Sequence, residues 1–201
     1  MKWVLLLFTL VFAAGVANAQ ERRLETLLLL PEPRALRSDL SVTPKGAVKT
    51  VLTPARERLD VPGIETYSKE EFKKLGLSVE TFAARSRAAA DKLLASFKPE
   101  LARDEDGKVI YALYRSERPV VASLLLAPSL LKVFEELFGK EIWVAMPNRY
   151  SLFVFPAQPE VLQEFAEELR ERYENDAYAA SGEIFVLKAG EEPRVVGSFD
   201  E

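Results

Sequence analysis

Neither histidine nor cysteine occurs among the 201 residues. Their absence removes Ser-His-Asp and Cys-His nucleophile systems, thiol redox chemistry, every disulfide, and zinc or iron sites whose protein ligands include imidazole or thiolate. What remains is carboxylate chemistry, Ser-Lys chemistry and metals held wholly by oxygen. The nine glycines are scattered, and none forms G-x-x-x-x-G-K or G-x-G-x-x-G, so no phosphate-cradling loop is encoded. A basic stripe able to neutralise phosphates is missing too. With 29% charged residues and a net charge of −4, the chain is not expected to bind nucleic acid. No cofactor and no metal site is expected.

What is present fits one buried core: 48% of the residues are hydrophobic, and the length is too short for two full-sized domains. The first nineteen residues read as a secretory signal. Lys2 is the positive start, residues 3–15 form the apolar run, and Ala17-Asn18-Ala19 is an A-x-A cleavage site. An uncleaved anchor is the weaker reading, because the apolar run falls short of the roughly 20 residues that span a bilayer. The expected mature chain starts at Gln20, is periplasmic or secreted, and keeps no membrane span. A secreted chain of this size without cysteine fits a bacterial envelope better than a eukaryotic extracellular module.

Residues 20–63 are punctuated by Pro31, Pro33, Pro44, Pro54 and Pro62 and read as an N-terminal arm bearing two short strands, at 27–30 and 47–52. Residues 64–201 read as a single α+β domain. Ser68-Lys69-Glu70-Glu71 has capping-box spacing, so a short helix should run to Leu75 and stop at Gly76. Ser78 caps a longer helix ended by Pro99, whose small-residue middle, 83–90, suggests close packing on a sheet. Extended patterns follow at 109–114 and 120–127, joined as a hairpin through Arg115 to Pro119, then a helix at 128–138. A second hairpin (142–146, 152–155), a helix (159–175) and a third hairpin (183–188, 194–199) complete the chain. The expected architecture is ββα-ββα-ββ, a mainly antiparallel sheet built from successive hairpins with the helices on one face. A gapless shift of thirty-one residues supports it, laying Arg118 on Arg149, Pro128 on Pro159 and Phe134 on Phe165.

Chemical candidates are few. Asp104-Glu105-Asp106-Gly107 lacks the spacing of a calcium loop and reads as a solvated turn. Ser129 and Lys132 have S-x-x-K spacing, but a helix-start serine before a surface lysine accounts for them. The acidic residues of 160–174 read as a solvated helix face.

Three strings carry a resemblance to a family. They are Gly76-Leu77-Ser78-Val79-Glu80, Val121-Ala122-Ser123-Leu124-Leu125-Leu126 and Val144-Ala145-Met146-Pro147-Asn148-Arg149. Over about residues 46–175 the chain resembles the YtpQ-like family of uncharacterised bacterial proteins. In that family the last string looks like a strand followed by Pro-x-Arg-Asp. Pro147 and Arg149 match, while Tyr150 stands where the aspartate would be. The ending of the long helix also differs, reading Asp91-Lys92-Leu93. The resemblance implies no activity, and a secretory signal departs from what looks like a mainly cytoplasmic family.

The functional expectation is a non-enzymatic binding module of the envelope, using its sheet or its arm to hold an unknown protein or envelope component. The alternative is a carboxylate-dependent hydrolase acting on envelope polysaccharide or peptide. Candidate binding residues are Asn148, Arg149, Tyr150 and Arg118, at the two aligned turns. Pro147 and Asn148 suit the middle of a β-turn, so a corner away from the core is the expected role, and Arg149→Ala should leave folding nearly unchanged.

Overall fold

A computed structural model describes residues 27–58 and 63–200. The signal segment, its cleavage point after Ala19, and Pro62 lie outside them. The protein is α+β, with two open antiparallel sheets. The small sheet has the order β1-β2-β3, formed by Leu27–Pro33, Thr50–Glu57 and Ile64–Thr66. The large sheet has the order β4-β5-β7-β6-β8-β9, formed by Glu100–Arg103, Val109–Arg115, Ser151–Pro156, Glu141–Ala145, Glu183–Lys188 and Arg194–Ser198. Among the described residues no helix is long and apolar enough to cross a membrane.

The first two helices form where their caps place them. In α1, Lys69–Lys74, the Ser68 hydroxyl accepts from the Glu71 amide while the Glu71 carboxylate accepts from the Ser68 amide, and Gly76 takes φ +64° just beyond. In α2, Val79–Ser96, Ser78 caps the start and Ser86, Ala89 and Ala90 are buried. That small-residue face lets the helix lie close against β1 and the segment before α3. The third helix, α3 (Leu130–Phe138), borrows its cap from across the fold. Asp91 of α2 accepts from the Ser129 amide at 2.9 Å and the Ser129 hydroxyl at 3.2 Å. Ser129 is therefore held by a carboxylate, not by Lys132.

Four details differ from the sequence expectation. Residues 120–127 are not a strand: Val121–Leu126 is a fully buried 3-10 helix between Pro119 and Pro128, with the Ser123 hydroxyl donating to the Val120 carbonyl at 2.6 Å. A short apolar run has no period that separates a buried strand from a buried helical turn. The first hairpin is instead β4–β5, closed by the acidic turn, where Lys108 N–H donates to Asp104 Oδ1 at 2.8 Å and Gly107 takes φ +81°. The ββα-ββα-ββ order survives with that exchange, but the thirty-one-residue shift does not, since it lays the 3-10 helix on β7.

The other two concern packing. Helix α4, Pro159–Glu174, lies on the opposite face of the large sheet from α2 and α3. Strand β7 explains why: Leu152 and Val154 enter the main core, while Phe153 and Phe155 enter a second cluster with Leu169 and Ile184. A strand apolar on both faces needs cover on both. Residues 27–57 are also no free arm. Leu27, Leu29 and Leu52 belong to the main core beside Phe82 and Phe134, and Leu28 and Leu30 enter a third cluster with Ala55 and Val120. The division at residue 63 separates β2 from β3, which pair with each other.

Candidate functional site

The turn joining β6 to β7 is a corner, with its tight positions on Arg149 and Tyr150 instead of Pro147 and Asn148. Asn148 sets it. Its Oδ1 accepts from the Tyr150 amide at 3.1 Å and the Ser151 hydroxyl at 2.8 Å, and its Nδ2 donates to Asp176 at 2.7 Å. Tyr150 meets Tyr178 edge to face with ring centroids 5.7 Å apart. Burial pushes the Tyr150 phenol above its ordinary pKa, helped by Tyr178 and Asp176 and opposed by Arg149.

Arg149 turns inward. Its Nη2 donates to Glu32 Oε1 at 2.6 Å, and the two side chains are only 16% and 4% exposed. Its guanidinium also lies 5.8 Å from the Tyr178 ring centre, while its Nε–H is buried with no acceptor. The expectation that Arg149 stands away from the core is overturned, because its partner comes from β1. Arg118 makes the matching reach to β2, with Nε and Nη2 on the two Glu57 oxygens at 2.8 and 2.7 Å and its guanidinium 5.7 Å from the Phe97 ring centre. Arg56 faces Leu27 and Glu32 faces Val51, so Glu32 and Glu57 stand near opposite ends of the β1–β2 pair, about 20 Å apart at roughly 3.4 Å per residue. The two arginines thus tie the small sheet to the turns of the large one. Asn148, Arg149 and Tyr150 form one cluster; Arg118 belongs to a separate contact. Glu32 and Glu57 were missed in sequence because their partners lie 117 and 61 residues away.

A different surface is exposed and chemically distinctive. The β1–β2 connection, residues 34–49, carries Arg34, Arg37, Lys45 and Lys49 against one acid, Asp39, in a chain of net charge −4. Asp39 is already matched by Lys69 at 2.5 Å. Between these cations stand Leu36 and Val48, 56% and 67% exposed, the two most exposed large apolar side chains among the described residues. A 3-10 turn, Arg34–Leu36, begins with the Arg34 amide on the Lys49 carbonyl at 2.6 Å, and Arg34 Nη1 donates to the Val48 carbonyl at 3.1 Å, so the two apolar side chains share one corner.

The corner is pinned from beneath. Glu183, buried at the start of β8, accepts the Val48 and Lys49 amides on Oε1 at 2.7 and 3.1 Å. Thr50 and Ser181 hydroxyls meet at 2.6 Å, and Lys49 Nζ lies 2.8 Å from Asp200. Burial pushes the Asp200 carboxyl up, but the bonds from Lys49 and Ser198 outweigh it and leave its pKa below the ordinary value. On the far side, Lys45 accepts from the Val195 amide at 2.9 Å, beside the β-bulge of β9. Charge counting along residues 34–49 would have exposed this surface in the sequence.

Fold and contacts together define a two-sheet α+β protein in which the Arg149–Glu32 and Arg118–Glu57 ion pairs join the sheets and whose β1–β2 connection offers a pinned cationic corner. The chain matches no family model, no curated protein and no solved structure.

Proposed function

We propose that the protein is a non-enzymatic binding module working outside the cytoplasm, in the periplasm or secreted, with the β1–β2 connection as its docking surface. One observation carries this reading. Leu36 and Val48 are held outward among Arg34, Arg37 and Lys45 by a connection whose backbone is fixed to β8 and β9. Burying aliphatic surface is favourable, so two aliphatic side chains held in water by a pinned backbone suit a partner more than they suit this fold. The arm of the sequence reading becomes this corner, since the strands on either side of it are buried. The hydrolase alternative gains no support from the carboxylates at the candidate sites: Glu32, Glu57, Asp176 and Asp200 all accept bonds from neighbouring side chains.

The test compares the full chain with the double variant Arg37→Glu/Lys45→Glu in native cells. Envelope fractions are cross-linked and the attached material identified. The wild-type chain is expected there, with its attached material lost in the variant. Recovery wholly in the cytosol with Met1 intact, or the same attached material in the variant, would overturn the reading.

A further inference from the structure

We infer that the partner of the β1–β2 corner is an anionic lipid bilayer surface. The inference rests on the binding-module reading and names what is bound. Cations alone suit any polyanion. What selects a bilayer is the combination: Leu36 lies between Arg34 and Arg37 in the chain, Val48 follows three residues after Lys45, all five are exposed, and Arg34 Nη1 on the Val48 carbonyl joins the two stretches at one corner. At a membrane interface, aliphatic side chains enter the headgroup boundary while lysine and arginine stay at the anionic surface. A soluble acidic polymer rewards the cations and gives the aliphatic side chains no place to go.

Charge complementarity is local. The chain as a whole is acidic and repelled by an anionic surface, so a lipid would meet the protein in one orientation, corner first. The acids nearest in sequence and contact are already matched: Asp39 by Lys69, Asp200 by Lys49, and Glu32 by Arg149. Buried Glu183 faces inward and fixes the backbone at residues 48 and 49. A corner fixed before contact has little ordering to lose on docking. Two aliphatic side chains and a few cations give reversible attachment, far weaker than a spanning helix.

Vesicle co-sedimentation of the full chain tests this, comparing phosphatidylglycerol-containing with pure phosphatidylcholine vesicles at about 0.15 M salt. The readout is the ratio of the two partition coefficients, which removes the shared contribution of the apolar N-terminal residues. The wild-type ratio should be roughly 25-fold. Arg37→Glu/Lys45→Glu should bring it down by roughly 25-fold, about fivefold for each cation, and abolish the preference. The control Lys132→Glu/Lys140→Glu, with the same charge change on an exposed face elsewhere, should leave it unchanged. Leu36→Ser/Val48→Ser should lower binding to both vesicles. Circular dichroism melts confirm that each variant folds.

Three results overturn the inference: a wild-type ratio near one, an equal loss in the control, or full retention of binding in Leu36→Ser/Val48→Ser. If the vesicle ratio is near one while the envelope material is still lost in Arg37→Glu/Lys45→Glu, the bilayer falls and the binding module stands. If neither assay responds to that variant, both fall.

Discussion

Arg149 and Glu32 form a nearly buried ion pair across the two sheets, with Nη2 and Oε1 2.6 Å apart. One partner leaves a turn of the large sheet and the other leaves the end of β1, 117 residues earlier. The arginine comes with an unsatisfied Nε–H, so the pair is no optimised source of stability. Its effect shows when it is broken.

Arg149→Ala should destabilise the protein by about 3–5 kcal/mol, because it leaves the Glu32 carboxylate buried and uncompensated. The double variant Glu32→Leu/Arg149→Met should recover most of that loss, since it removes both charges and keeps the volume. Urea melts of the three proteins check this. A loss below about 1 kcal/mol in Arg149→Ala would place Glu32 in contact with water and sink the account.

Arg118→Ala should cost no more than about 1 kcal/mol, although Arg118 aligns with Arg149 in the thirty-one-residue shift. Arg118 is 44% exposed and Glu57 18%, so water screens the pair and salt weakens it. Melting in low and high salt should therefore separate the two arginines: the Arg118 effect shrinks with salt and the Arg149 effect persists. Equal salt dependence would contradict the burial difference.

Much of this architecture is legible in the sequence where local chemistry decides it. The Ser68 and Ser78 caps, the Gly139 stop at φ +89° and the Pro159 start fix helix ends without help from the rest of the chain. The hairpins β6–β7 and β8–β9 are also legible, from apolar runs on either side of a turn. Residues 120–127 were not, because burial on every side erases the period that would reveal their conformation. Strand β4 is four residues long and follows Pro99 directly. Its sequence signal was the acidic turn, which needed a strand on both sides. At the candidate site the corner was legible and the direction of its arginine was not. Glu32 reaches Arg149 through tertiary packing that no spacing encodes.

Stability should be flat between about pH 5 and 8, because with no histidine no side chain has an ordinary pKa there. On the acid side, burial pushes the Asp200 carboxyl up, but Lys49 and Ser198 win and depress it, and the Lys188 bond depresses Glu141. A depressed carboxyl stabilises the fold above its unfolded value, about 3.9 for Asp and 4.3 for Glu, and that stability is lost as pH falls through the folded value. On the alkaline side burial raises the Tyr114 phenol to about 12. Its contribution is present in full below the unfolded value of about 10 and is lost as pH rises through the folded one. Melting temperatures across this range check the profile. A step centred near pH 6 to 7 would contradict it.

Gly46→Ala should harm the protein more than Gly107→Ala, although both glycines have positive φ, +78° and +81°. The backbone cost is shared, about 1–2 kcal/mol for placing a side chain in the left-handed region. At Gly107 an added Cβ meets nothing within 4 Å, so the cost stops there. At Gly46 it would sit 2.9 Å from the Val195 carbonyl oxygen, which is backbone and has no room to retreat while Lys45 bonds the Val195 amide. The turn at residues 44–47 must then lift from β9, uncovering part of a sheet edge that the turn and the bulge otherwise protect. Gly46→Ala is therefore expected to lower the melting temperature further and to self-associate more than wild type at high concentration, whereas Gly107→Ala sediments like wild type. Calorimetry and sedimentation velocity on the pair decide it: equal losses and equal sedimentation would mean that the Gly46 contact with β9 does not hold the corner in place.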